Sequence, residues 1–316
     1  MEKNLPWIVL IAYVLILLFL DFFVLHNKNK PNSIKKAVFE TLFFVSNALL
    51  FSGIVYWFYD NAYISNINNL SPYQALLKYL TGYMVELSLS VDNLFVIAVI
   101  FASFKIPSQY QHKLLFLGIL GAIVFRGILI SVGLLLMNKI HGMTIVFGLF
   151  LLFTAIKMLK KDVEHKEEDQ QKGIMKFFRL SNTLDGGKFF TKINGKKVLT
   201  AMGGALITIE FTDLLFALDS IPAILSITTD PFIVYSSNIF AIMGLRSLYF
   251  FLANMLDRFA YLKYSVFSIL IFVSIKLMTT SYIEIPEWFS LLFIALSLGV
   301  GIYISTLNLK QPHETK

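Results

Sequence analysis

The sequence contains nine apolar runs, and their length constrains the fold more than any other feature. A helix of about 20 apolar residues crosses the hydrocarbon core of a bilayer. With 57% hydrophobic and only 15% charged residues, the 316-residue chain is too apolar for an ordinary soluble domain. We therefore predict an all-α, polytopic membrane protein with nine transmembrane helices, approximately at residues 6–24, 37–59, 77–101, 114–136, 143–159, 199–227, 235–256, 262–280 and 288–307.

Two features of the sequence exclude whole classes of function. The chain has no cysteine, which excludes disulfides, thiolate metal sites and cysteine nucleophiles together. The first apolar run is long enough to span and has no small-residue cleavage site after it, so we interpret it as a retained helix and not as a signal peptide.

The distribution of Lys and Arg predicts the orientation of the chain. Positive charge near the ends of spans is retained on the cytoplasmic side. An N-terminus outside and a C-terminus in the cytoplasm place 20 of the 27 Lys and Arg residues in cytoplasmic segments. This asymmetry also accounts for the net charge of +7, so no nucleic-acid partner is needed to explain it.

The polar breaks divide the chain into five parts. The segment from Lys160 to Val198 is the one sizeable hydrophilic stretch. We interpret its first half as a solvated linker; the alternative is weak metal binding by His165 and the acidic residues around it. In its second half, Asn194-Gly195 between two short apolar or β-branched stretches predicts a β-hairpin. The parts are two N-terminal helices (1–76), a first three-helix repeat (77–159), the cytoplasmic loop (160–198), a second three-helix repeat (199–280), and the ninth helix with a cytoplasmic tail (281–316).

The two three-helix units carry matching landmarks. In VELSLSVDNLFVI of the third span and TDLLFALDSIPAI of the sixth, an acid is followed six residues later by Asp and then by a small polar residue. Because three spans separate the two units, they run in opposite directions, which predicts a 3+3 inverted repeat of the kind found in secondary transporters. The matching positions are Glu86, Asp92 and Asn93 against Asp213, Asp219 and Ser220, then Arg126 against Arg246, and Lys157 against Lys276.

Five acids lie well inside apolar spans: Glu86, Asp92, Glu210, Asp213 and Asp219. Each costs about 2.5 to 3.5 kcal/mol at the bilayer centre, so all must face protein, water or a cation. One alternative is a structural salt-bridge network with Arg126, Arg246, Lys157 and Lys276. Five acids against four bases leave an excess of negative charge, however, which favours a pathway for cations or protons. In that case Arg126 and Arg246 compensate the charge of the empty site.

Helix geometry and ligand chemistry refine the predicted site. Residues six apart on a helix differ by about 240° in direction, so Glu86 shares a face with Ser90 and Asn93 and not with Asp92. In the sixth span, Pro222 is expected to loosen the helix near Asp219. Carboxylate, amide, hydroxyl and backbone oxygens suit hard ions such as Mn²⁺, Mg²⁺ or Ca²⁺. Two further acids, at positions 21 and 40, lie near span ends and are expected to be interfacial.

Three segments of the sequence resemble the TerC/Alx family of bacterial integral membrane proteins. They are GYMVELSLSVDNLFV, LGILGAIVFRGILI and the block from Asp213 to Arg246. The resemblance covers roughly Tyr73 to the ninth span. It implies a nine-helix, multi-pass protein of the bacterial inner membrane, in a family named for tellurium resistance and associated with manganese export and with supplying metal to exported proteins. Carried over residue by residue, the family's acidic positions are Glu86, Asp92, Glu210, Asp213 and Asp219, with Asn93, Ser220 and Asn238 as neighbouring polar positions.

The sequence therefore predicts a transporter that exports a divalent cation, Mn²⁺ first among the hard ions, through a carboxylate site at the membrane midplane. Carboxylates close together resist simultaneous ionisation, so exchange of the metal for protons is physically available. We expect no enzymatic activity and no tightly bound cofactor; the expected partners are membrane lipid, the transported ion, and exported metalloproteins or the secretion machinery. The alternative is a non-transporting scaffold or stress-complex subunit that acts through the 160–198 loop.

Overall fold

The computed structural model describes residues 4–25, 34–66, 68–140, 142–160, 184–193, 196–253, 262–279 and 285–308. Within these ranges the chain forms ten α-helices and a short hairpin, so the predicted all-α class is confirmed. The helices are α1 Leu5–Phe19, α2 Ile34–Asp60, α3 Pro72–Ser103, α4 Ser108–Lys139, α5 Met143–Lys160, α6 Ala201–Leu225, α7 Pro231–Met243, α8 Leu245–Ala253, α9 Leu262–Thr279 and α10 Glu287–Asn308.

Several of these helices have the length and composition of membrane spans. In the described part of the chain, five helical stretches are long and apolar enough to cross a bilayer: Leu5–Phe23, which is α1 continued by a π-helical turn, and stretches of α2, α4, α6 and α10. They expose large apolar side chains, such as Ile8 at 60% and Leu50 at 66%, as lipid-facing helices do. Shorter apolar stretches occupy Met143–Phe153 and Tyr264–Thr279. The fold is thus that of a multi-span membrane protein, and the number nine stays a prediction.

Local signals in the sequence determine where the site-bearing helices begin. The α3 helix starts with a capping box in which the Ser71 hydroxyl accepts from the Gln74 amide and the Gln74 side chain accepts from the Ser71 amide. The Thr200 hydroxyl caps α6 by accepting from the Gly203 amide, and Asp230 caps α7 in the same way. The run predicted as one span at 235–256 is two helices, α7 and α8, that meet at Gly244.

Helix packing brings the two predicted repeats into contact. The three most extensive pairs are α3 with α7, α4 with α6, and α5 with α9. The N-terminal helix α2 packs against α3, α7 and α8, and its buried Phe51 contacts Tyr79, Phe232 and Phe240. The core is therefore shared between the two halves of the chain.

A two-stranded hairpin precedes α6. Strands β1 Phe190–Ile193 and β2 Lys196–Leu199 pair antiparallel, with Ile193 opposite Lys196, on either side of the Asn194-Gly195 pair for which the sequence predicts a turn. Lys160, the first residue of the predicted loop, belongs to α5, and residues 161–183, including His165, lie outside the described residues.

Candidate cation site

A buried arginine joins the two halves of the chain. Arg126 of α4 is 1% exposed. Its Nη1 forms an ion pair with Glu86 of α3, and its Nε and Nη2 donate to the two carboxylate oxygens of Asp213 in α6 at 3.3 and 3.0 Å. Nη1 also lies 3.5 Å from the hydroxyl of Ser220. Because guanidinium and carboxylate match in a two-pronged geometry, Arg126 positions both acids.

The second oxygen of Glu86 is held by α7. Asn238 Nδ2 donates to Glu86 Oε2 at 2.9 Å, and Asn238 is 1% exposed. The Asn238 carbonyl oxygen and the buried hydroxyl of Ser90, one turn after Glu86, have no hydrogen-bond partner among the residues that the structure describes. Within the described part of the chain, two oxygens of the kind that hard cations bind are therefore unpaired near Glu86: that of Asn238, whose amide contacts Glu86, and that of Ser90, one turn along α3.

One face of α6 carries the remaining described acid of this region. Glu210, Asp213, Ala217 and Ser220 are spaced three, four and three residues apart, which places them on one side of the helix, toward α4. The Glu210 carboxylate lies where a Cβ at Gly121 of α4 would be, so a larger residue at position 121 would have to displace the end of that side chain. Glu210 Oε2 has no hydrogen-bond partner within the described ranges.

Among the side chains that the structure describes, the charges of this region do not balance. Glu86, Glu210 and Asp213 contribute three formal negative charges, and Arg126 contributes one positive charge. Asp213 has 15% of its side chain exposed, while Glu86 and Arg126 each have 1%. Asp213 is therefore the most accessible of the groups that contact the guanidinium.

Some predicted residues cannot be added to this cluster. Asp92 lies on α3 and Asp219 on α6, but both side chains, like that of Lys157, lie outside what the structure describes. Asn93 is buried on α3. The α6 helix continues through Pro222 to Leu225. Among the described residues, no group of three or more His, Cys, Asp or Glu side chains is arranged to hold a metal ion.

Arg246, the counterpart of Arg126 in the sequence, lies elsewhere. Its Nη2 forms an ion pair with the Asp21 carboxylate and donates to the Asp21 backbone oxygen at 3.1 Å. The expectation that Arg246 compensates the site acids therefore does not match the contacts observed. The reason is its position in α8, which packs against α2, so that the side chain meets the N-terminal helices. Asp21 and nearby Glu40 are buried within the protein, at 2% and 3% exposure, and their interfacial depth stays a prediction.

This second charged cluster is not among the sites predicted from the sequence, which assigned the acids at positions 21 and 40 to the membrane interface. The available signal was an acid within each of two otherwise apolar runs, and a π-helical segment, Leu20–Leu25, surrounds Asp21. The remaining predicted base, Lys276 of α9, donates to the Ser290 hydroxyl of α10 at 3.0 Å and thus contacts the last helix.

Comparison with known proteins identifies the family. The profile of the Integral membrane protein TerC family matches residues 71–313. An uncharacterized membrane protein of Rickettsia bellii is 40% identical over 96% of this chain and 97% of its own length. The putative membrane-bound redox modulator Alx is 40% identical in Salmonella typhi and 39% identical in Escherichia coli, over 88% and 87% of this chain and 84% of each relative. No solved structure matches the chain significantly. The family predicted from the motifs is thus confirmed, and the chain belongs to the Integral membrane protein TerC family.

Proposed function

We propose that the chain exports a divalent cation, with Mn²⁺ as the cargo, through the buried cluster around Arg126. The observation that carries this proposal is an excess of carboxylates over one buried guanidinium among the described side chains, at a position shared by both halves of the chain. Ionisable groups inside a membrane are costly and mark ion pathways. A purely structural pair would need one acid for one base.

In the proposed mechanism Arg126 is an internal counter-ion. It neutralises Glu86 and Asp213 while no cargo is bound, which keeps two carboxylates in place inside the membrane. An entering divalent cation competes with the guanidinium for these oxygens. Asp213, as the more accessible acid, meets the cation first, and Glu86 follows with the amide oxygen of Asn238.

The donor chemistry supports a hard ion. Carboxylate, amide and hydroxyl oxygens bind Mn²⁺, Mg²⁺ and Ca²⁺ in preference to softer metals. The Alx relatives are named as redox modulators. This chain has no cysteine, so an effect on redox state would not run through its own thiols, whereas export of a redox-active metal would produce one. We accordingly propose a transporter without enzymatic activity.

We extend the proposal to nine spans and a 3+3 inverted repeat. In such a repeat, α3 corresponds to α6, α4 to the pair α7 and α8, and α5 to α9. A twofold rotation that exchanges the two units then converts the α3–α7 contact into the α6–α4 contact. The same rotation maps the α5–α9 contact onto itself. These are the three most extensive helix pairs. With the Lys and Arg asymmetry, the repeat supports an inner-membrane protein whose N-terminus is outside and whose C-terminus is cytoplasmic.

Metal flux into proteoliposomes tests the function. The protein is reconstituted with a Mn²⁺-sensitive dye inside the vesicles, and Asp213→Asn is compared with Asp21→Asn. Both variants neutralise an acid that is ion-paired with a buried arginine, but only Asp213 belongs to the proposed site. We expect Asp213→Asn to lose flux and Asp21→Asn to retain it.

The same assay can reject the proposal. Normal flux in Asp213→Asn would remove this acid from the pathway. Absence of Mn²⁺ flux in the folded unmodified protein, with other divalent ions also tested, would favour the non-transporting scaffold.

A further inference from the structure

The β1–β2 hairpin is fixed to the helices that carry the candidate site. Lys113 Nζ, near the start of α4, donates to the Gly187 backbone oxygen at 3.0 Å and lies 4.6 Å from the centre of the Phe189 ring. At the start of α6, the Thr200 amide donates to the Phe189 oxygen at 3.0 Å, and its hydroxyl donates to the Lys188 oxygen at 2.6 Å. The hairpin is therefore held in place at the base of both helices.

Its position along α6 places the hairpin at the boundary between water and lipid. β2 ends at Leu199, two residues before α6 begins at Ala201, and α6 is apolar enough to span a membrane. The residue paired with Leu199 is Phe190, whose side chain is 61% exposed. An exposed aromatic ring thus lies at the end of the hairpin nearest the bilayer.

One face of the hairpin changes from apolar to basic with distance from α6. Side chains alternate along a strand, so Phe190 and Lys192 share a face with Leu199 and Lys197. Lys192 stands directly opposite Lys197 in the register, and like charges in this position destabilise a strand pair. A cleft of about 570 Å³ lies beside them. Its charged lining residues are three lysines and one aspartate, namely Lys188, Lys192, Lys197 and Asp185, and the remaining lining residues are Phe190 and Thr191.

We infer that this face binds the phosphate headgroup of an anionic phospholipid in the leaflet on the hairpin's side. Lys192 and Lys197 bind the phosphate, whose charge relieves their mutual repulsion. Phe190 enters the acyl boundary. The spacing fits a lipid, because two residues of strand place the lysines about 7 Å farther from the membrane than the aromatic ring. A soluble phosphate would use the lysines and leave Phe190 without a role.

The test uses the absence of cysteine from the chain. Phe190→Cys is labelled with a fluorescent dye, and the protein is placed in nanodiscs of phosphatidylcholine and phosphatidylglycerol in which one or the other lipid is brominated. We expect brominated phosphatidylglycerol to quench the dye more strongly than brominated phosphatidylcholine. Each lysine near an anionic surface contributes about a fivefold preference, so Lys192→Gln and Lys197→Gln should each lower the preference about fivefold.

A matched control and three outcomes decide the inference. Lys105→Gln removes an exposed lysine from the segment before α4, outside the cleft, and should leave the preference unchanged. Equal quenching by both lipids would overturn the inference, and so would unchanged selectivity in both single lysine variants. Loss of the preference on addition of millimolar glycerol phosphate would also overturn it, since the site would then belong to a soluble anion. Unchanged melting temperatures of the two single variants exclude misfolding as the cause.

Discussion

Replacing Arg126 by glutamine tests the counter-ion role directly. Breaking a buried ion pair by removing one partner costs about 3 to 5 kcal/mol, because the other charge is left uncompensated. Here two acids lose their partner, but Glu86 retains the donor of Asn238 and Asp213 is 15% exposed and can be hydrated in part. We therefore expect a loss near the lower end, about 3 kcal/mol.

A divalent cation should reverse this loss. In the unmodified protein the cation competes with the guanidinium, whereas in Arg126→Gln the carboxylates are free. A ligand at 100 times its Kd stabilises the folded state by about 2.7 kcal/mol. Saturating Mn²⁺ should thus restore most of the stability of Arg126→Gln and should raise the melting temperature of the unmodified protein less.

Unfolding of purified protein with Mn²⁺ or with chelator measures both effects, and Arg246→Gln is the matched control. Arg246 is equally buried and is also paired with an acid, Asp21, but lies outside the proposed site. We expect Arg246→Gln to be destabilised and to gain no more from Mn²⁺ than the unmodified protein does. Equal Mn²⁺ stabilisation of the two arginine variants, or none in Arg126→Gln, would refute the counter-ion mechanism.

Three further predictions follow from the same structure and sequence. Asp92→Asn and Asp219→Asn should each abolish Mn²⁺ flux and leave the melting temperature unchanged, because the substitution retains size and one oxygen ligand but removes the charge; normal flux in both would exclude them as ligands. Gly121→Ala should destabilise the protein by about 1 kcal/mol, since its Cβ must displace the half-buried Glu210 carboxylate, whereas Gly127→Ala, whose nearest such atom is 3.9 Å away, should be tolerated; equal melting temperatures would contradict this packing. A cysteine introduced at Gln170 should react with an impermeant reagent only from the cytoplasmic side, and labelling in intact cells would contradict the predicted topology.

The membrane fold was predictable because its signals are local. Whether a run of about 20 residues enters lipid depends on the summed transfer of its own side chains, and that sum is visible in the sequence. Helix starts are local in the same way: Ser71 and Asp230 cap the amides that follow them within three residues. The acids of the third and sixth spans were also recognisable, because a charge in an apolar run is conspicuous wherever it later packs.

The partner of each charge depended on tertiary structure. Arg126 and Arg246 occupy matching places in the two sequence repeats, yet Arg126 binds Glu86 and Asp213 while Arg246 binds Asp21. Which acid a buried arginine meets depends on the helix packed against it, and residues 87 or 225 positions apart in the chain leave no periodic signal of their contact. The sequence by itself determined that the chain spans a membrane and carries buried charge. Only the packing of α4 against α6, and of α8 against α2, decided which charges lie together, because electrostatic pairing inside a membrane depends on distances of a few ångströms.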